Sequence, residues 1–178
     1  ENVFIYSVPK DYSANAHKKR AIRFGIEQSR GEIIVTTDAD CIHQKAWLKN
    51  LLKFMDEKTG FVSGPVEFIS DSSLFSRMQR LEFAGLVITG AGMIGSGNPI
   101  ICNAANIAYR QKAFDEVGGF SYQMSLSSGD DELLMQKIHR KTDYKIKFAL
   151  DKNAIVSTEA NPSVKEFYHQ RKRWASKG

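Results

Sequence analysis

Residues 32–40 read EIIVTTDAD. A β-branched, apolar run that ends in two carboxylates one residue apart reads as a buried strand with chemistry at its carboxyl end. On an extended chain, residues i and i+2 point the same way, so Asp38 and Asp40 are expected to project together, with Ala39 turned elsewhere. Ligands of open α/β sheets bind at that edge. Two carboxylates side by side repel each other unless a cation lies near them, and hard cations take one or two carboxylates plus phosphate oxygens. The competing reading is a solvated turn or a cap for the helix that follows.

Outward from that strand, the pattern alternates. Residues 2–8 (NVFIYSV) predict a short strand, 14–28 a helix and 45–55 a second helix. Residues 61–69 predict a strand broken at Gly64-Pro65. Strand, helix, strand, helix, strand is the order of a mostly parallel sheet with helices on both faces. Further on, a helix of uncertain length starts near Asp71-Ser72-Ser73. Strands are expected over 100–109, 144–149 and 153–158, with short helices at 111–117 and from Ser128 to about 140. Ser163 and Glu166 make a capping box for the last helix. With no repeat or linker, residues 1–178 read as one domain. The chain opens mid-pattern, which suggests a piece of a longer protein.

The chain has 178 residues and a formal net charge of +5, with 42% apolar and 25% charged residues. That composition excludes disorder, and a chain this long hides roughly 70% of its unfolded surface without staples. Cys41 and Cys102 cannot form a disulfide framework and read as reduced thiols of a cytoplasmic protein. Basic residues gather in 9–30 and 163–178, which suits a diphosphate, a polyanion or an anionic membrane face, or simply two solvated helices. The uncharged run from Phe83 to Tyr109 is long enough to span a bilayer. Its five glycines between 85 and 97 point instead to a helix ending in a mobile, Gly-rich loop.

Two more clusters could carry chemistry. Gly129-Asp130-Asp131-Glu132 places acids at a helix start, where they cap the helix or, by the same dipole, stay ionised as a general base must. Gln170, Arg173 and Trp174 share one face of the last helix: a guanidinium fork for phosphate oxygens and a flat ring for a sugar or base, or merely a basic amphipathic rim. The four histidines lack metal-ligand spacing and read as structural or surface residues. No nucleophile elbow, Walker loop or G-x-G-x-x-G is present.

The ordered set is Lys18-x-x-Ala21, Asp38-Ala39-Asp40, Ser63-Gly64-Pro65-Val66, Asn106-x-x-Tyr109-Arg110, Gly118-Gly119-Phe120, Asp130-Asp131-x-x-Leu134 and Gln170-x-x-Arg173-Trp174. It resembles the family 2 glycosyltransferases of GT-A fold, in the Q-x-x-R-W branch of cellulose, chitin and hyaluronan synthases. The resemblance implies an α/β, Rossmann-type sheet lacking its first strands, and inverting transfer of a sugar from a nucleotide-diphosphate donor, usually UDP-linked, to a glycan or lipid-linked acceptor. It implies that Asp38 and Asp40 bind the donor through Mg²⁺ or Mn²⁺, and that Asp131 is the catalytic base. Asp130, Gln170, Arg173 and Trp174 would hold the acceptor and the diphosphate. Nucleic acid is not an expected partner. The resemblance leaves open a place at the cytoplasmic face of a membrane for the full-length protein. Two alternatives remain: a non-catalytic glycan- or polyanion-binding module, and a D-x-D phosphohydrolase of the haloacid dehalogenase type.

Overall fold

The computed structural model describes residues 3–9, 17–69, 73–120 and 130–175. In chain order the elements are α1 (His17–Gln28), β1 (Ile33–Thr36), β2 (Ile42–His43), α2 (Trp47–Leu52), β3 (Thr59–Ser63), β4 (Val66–Ile69) and α3 (Leu74–Gly95). Then follow β5 (Ile107–Arg110), α4 (Gln111–Glu116), α5 (Asp130–Lys141), β6 (Lys145–Phe148), β7 (Val156–Glu159) and α6 (Val164–Ala175). They build two sheets. The first has the order β1-β5-β3-β6, the second β2-β7-β4. In the first sheet β1, β3 and β6 run one way and β5 runs against them. In the second, β4 and β7 are parallel and β2 is reversed.

Strand alternation distributes the core over both faces of the first sheet. Phe61 of β3 joins Tyr109, Phe114, Leu134, Met135 and Ile138 beneath α4 and α5. The next residue, Val62, joins Leu51, Ala108, Ala149 and Ala154 beneath α2. A third cluster of Val66, Phe68, Phe83 and Ala105 packs the second sheet against α3. The Gly64-Pro65 break is the point where the chain leaves the first sheet and enters the second. A side chain at Gly64 would collide with the Asn106 amide, so only glycine fits there.

Four expectations change. Residues 3–9 form no strand: Ile5 is 94% exposed, and no described strand lies alongside. β1 is an edge strand paired to β5 alone, so only Ile34 of its four residues is buried. The expected strand 100–109 is extended only over 107–110, because Asn103 accepts a hydrogen bond from the Ala105 N–H and starts a short 3₁₀ turn. The largest change is α3. It runs unbroken through Gly85, Gly90 and Gly92 to Gly95, where a mobile loop was expected. Glycines inside a helix cost about 1 kcal/mol each against alanine, and tertiary contacts outweigh that here. The Ser73 hydroxyl caps the helix, Gln79, Phe83 and Ile94 are buried, and a Cβ at Gly90 would stand only 3.0 Å from the Ile101 carbonyl. Among the described residues no helix is long and apolar enough to cross a membrane.

Asp56 pins the entry of β3 to β6. Its carboxylate accepts from Lys147 Nζ, from Thr59 Oγ1 at 2.7 Å and from the Lys58 N–H at 3.1 Å. Hydrogen bonds from Lys147 first and Thr59 second hold its pKa down to about 2. A depressed carboxylate stabilises the fold above its unfolded value of about 3.9, and that contribution fades as pH falls towards 2. Asp56→Asn is therefore expected to melt below the unmutated protein near neutral pH. The gap should close on acidification from about pH 4 to 2. A gap independent of pH would remove Asp56 from the acid response.

Candidate active site

Three chain crossings from the first sheet to the second lie side by side: β1 to β2 through Asp38–Asp40, β3 to β4 through Gly64-Pro65, and β6 to β7 through residues 149–155. A cleft of about 520 Å³ opens at this seam. The first two crossings contribute Asp38, Asp40, Ser63 and Gly64 to it. Helix α3 adds Phe83, Leu86 and Val87, and α5 adds Asp131 and Glu132. The end of β7 supplies Thr158 and Glu159, and α6 supplies Gln170, Arg173 and Trp174. A second hollow of about 460 Å³ lies between α1 and β1 and shares Asp38 and Asp131 with the first.

Asp38 and Asp40 reach the cleft by a different route from strand alternation. β1 ends at Thr36, residues 39 and 40 form a turn, and the Cys41 N–H donates to the Asp38 carbonyl at 3.2 Å. The turn is held from behind by Thr37 Oγ1, 2.7 Å from His43 Nε2, and His43 packs on the Trp47 ring with centroids 4.2 Å apart. The capping alternative for this pair fails, since Ala46 stands at the N-cap of α2 with no side-chain bond. Asp40 Oδ2 accepts from Thr158 Oγ1 at 3.4 Å. Sequence reasoning missed Thr158 and Glu159: a contact across 118 residues leaves no local signal.

Asp131 lies in the first turn of α5, half-buried on the border of both hollows. The expected helix start at Ser128-Gly129 and the side chain of Asp130 fall outside the described residues. Beneath Asp131, the Tyr109 hydroxyl is buried without a hydrogen-bond partner. Burial first, and the Asp131 charge second, push its pKa far above the ordinary phenol value, so it stays protonated. Cys41 is likewise pushed up, chiefly by burial, which suppresses the thiolate.

On α6, Gln170 and Trp174 are half-buried and Arg173 is exposed, and all three line the cleft. Trp174 also packs on Phe83 with centroids 6.0 Å apart, so it is a wall as well as a ligand surface. The neighbouring Arg171 pairs with Glu82 of α3 and lies over the Trp174 ring at 4.3 Å. The structure thus brings Asp38, Asp40, Asp131, Gln170, Arg173 and Trp174 to one cleft.

The charge in this cleft opposes that of the chain. Among the described residues, five carboxylates, Asp38, Asp40, Asp131, Glu132 and Glu159, line it with one guanidinium, Arg173. A phosphate-bearing ligand meets net repulsion there unless a cation enters with it. Among the described residues no group of three or more His, Cys, Asp or Glu side chains is placed to hold a metal alone. A pair of carboxylates fits a hard cation whose remaining ligands are phosphate oxygens and water.

The two mixed sheets with flanking helices form a GT-A fold, and the comparisons agree. The family model of glycosyl transferase family 2 matches residues 12–118, and the chain belongs to that family. Comparison with curated proteins gives no match. Among solved structures, the mannosyltransferase PcManGT of Pyrobaculum calidifontis, in complex with GDP-Man and Mn²⁺, is similar at 18% identity with a TM-score of 0.61. The alignment covers 92% of this chain and 41% of that one. Glucosyl-3-phosphoglycerate synthase of Mycobacterium tuberculosis, in complex with Mn²⁺ and UDP-glucose, is similar at 14% identity with a TM-score of 0.50, over 87% of this chain and 50% of that one. This chain therefore spans half or less of the length of those enzymes, and at such identities the likeness concerns the GT-A fold alone.

Because the Tyr109 hydroxyl has no partner, its removal sacrifices no hydrogen bond and relieves a buried polar group whose cost is about 1–3 kcal/mol. Tyr109→Phe is expected to leave stability to denaturant unchanged or to raise it. A loss above about 1 kcal/mol would show that the hydroxyl is bonded in solution.

Proposed function

We propose that this chain is the catalytic core of an inverting, divalent-metal-dependent glycosyltransferase. It moves a hexosyl or N-acetylhexosaminyl group from a nucleoside-diphosphate sugar, UDP-linked in the first instance, to a hydroxyl of a glycan or lipid-linked acceptor. The observation that carries this reading is the cleft itself: the Asp38–Asp40 turn, Asp131 and the Gln170–Arg173–Trp174 face converge on one seam, with five carboxylates to one arginine. Family membership weighs against the phosphohydrolase alternative, since the D-x-D turn belongs to a glycosyltransferase scaffold. A binding module without catalysis remains an outcome of the tests below.

In this reading Asp38 and Asp40 would hold the Mn²⁺ or Mg²⁺ that accompanies the donor diphosphate. Such an ion, when bound, neutralises the charge that gathers on the leaving diphosphate. Arg173 faces the same anion, and Trp174 offers its ring to a sugar. Asp131 accepts the proton of the acceptor hydroxyl as the hydroxyl oxygen attacks the anomeric carbon. The bond from that carbon to the diphosphate oxygen breaks with its electron pair leaving on the phosphate. Attack from the face opposite the leaving group inverts the centre. Asp130 and Gln170 are assigned to the acceptor side. The Gln170-x-x-Arg173-Trp174 set supports placement beside the cellulose, chitin and hyaluronan synthases, and a full-length protein at the cytoplasmic face of a membrane would meet a lipid-linked acceptor there.

Two substitutions in the full-length protein test these roles. Asp40→Ala is expected to abolish Mn²⁺-dependent binding of UDP or GDP in calorimetry. Affinity that is the same with and without metal would refute the assignment. Asp131→Asn is expected to keep donor binding and thermal stability while lowering kcat by about 10²–10⁴-fold, the usual loss for a general base. A capping role predicts normal turnover as well as normal stability, because Asn caps almost as well as Asp. Near-normal turnover in that variant would end the catalytic assignment.

A further inference from the structure

Helix α6 carries the acceptor-side residues, yet none of its residues is buried. What fixes it against the body is therefore a short set of directed contacts with α3. Phe167 meets Phe75 edge to face at 5.9 Å, Trp174 packs on Phe83 at 6.0 Å, and Arg171 pairs with Glu82. A further contact runs through Asn161, which precedes α6.

Gln79 of α3 is 2% exposed and pairs with Asn161 like one strand with another. Its Nε2 donates to the Asn161 carbonyl at 2.9 Å, and its Oε1 accepts from the Asn161 N–H at 3.1 Å. The Asn161 side chain then donates through Nδ2 to Gln170 Oε1 at 2.9 Å, while still reaching Gln79 Oε1 at 3.2 Å. Arg171 donates to that same Gln170 oxygen. A guanidinium only donates, so the Gln170 atom facing it is oxygen, and both acceptor sites of that oxygen are taken. Gln170 is left with its NH₂ group, two donors and no acceptor, for the cleft it lines. Three residues upstream of Asn161, Thr158 bonds Asp40, so one segment touches both sides of the cleft.

We propose that Asn161, held by Gln79, is a positioning residue that locks the Gln170 amide so that it offers the ligand donors only, selecting a hydroxyl or phosphate oxygen at that point. The ligand in this statement rests on the glycosyltransferase reading, whereas the lock itself does not.

The experiment has two readouts in the full-length protein. The first is the side-chain NH₂ resonance of Gln170 in ¹H–¹⁵N spectra, assigned by its loss in Gln170→Ala. Asn161→Ala is expected to move it while leaving the backbone signals of β3 in place, and Asn161→Asp, which sets an acceptor against an acceptor, is expected to move it further. The second is steady-state release of sugar from UDP- and GDP-linked donors. Asn161→Ala should change KM or kcat/KM by about 5–10-fold, the worth of one hydrogen bond. Adding it to Gln170→Ala should change nothing further, since both act through one group. An unmoved Gln170 resonance in both Asn161 variants, or additive effects in the double variant, would overturn the proposal. If the unmutated protein releases no sugar from either donor, the glycosyltransferase reading fails, and the resonance alone still decides the lock.

Discussion

The side chain and backbone of Asn106 hold the two sheets in register. The residue is wholly buried. Its carbonyl accepts from the Gly64 N–H at 2.7 Å, and its Nδ2 donates to the carbonyls of Pro65 and Ala154, each at 2.8 Å. Its Oδ1 accepts from Trp47 Nε1 at 3.0 Å. One amide thus ties the crossing from β3 to β4, the approach to β7, and α2. Three hydrogen bonds depend on that one side chain, so the cost of losing it falls on several groups rather than on one. The glycine at 64 follows from the same constraint, because the Asn106 amide occupies the space of a side chain there.

The cleft opens along the seam that this amide ties together. Carboxylates from the β1–β2 turn, α5 and β7 are drawn to one place by topology and not by sequence proximity. The chain carries net positive charge, yet its cleft is acidic among the described residues. On the proposed function, a cation would enter between these carboxylates and the donor phosphate.

Much of this was legible in residues. EIIVTT located β1, Gly64-Pro65 located a break, and Gly118-Gly119 located a stop, where both glycines have positive φ. Ser163 caps α6 as its spacing foretold. The pair at 38 and 40 and the face at 170, 173 and 174 were visible as candidates, and they line one cleft. The turn that carries the pair was not visible, since period-2 reasoning assumes that a strand continues. The α3 helix escaped because propensity penalises glycine, whereas a buried Gln79 and a carbonyl packed on Gly90 are facts of tertiary structure. Segment 3–9 misled for the converse reason. Alternating apolar residues define a strand only when a neighbour supplies the other half of its hydrogen bonds. Thr158 and Asn161 carried no local pattern at all.

The attachment of α6 has a dynamic consequence. A helix that keeps its place by an ion pair, ring contacts and side-chain amides, with Trp174 resting on the core but no residue fully buried, belongs to the low end of the scale of local opening free energies. The wall of the cleft that it forms can therefore part from α3 while both sheets remain intact. For a ligand of the proposed class, residence time would then follow that local opening rather than the global stability of the fold.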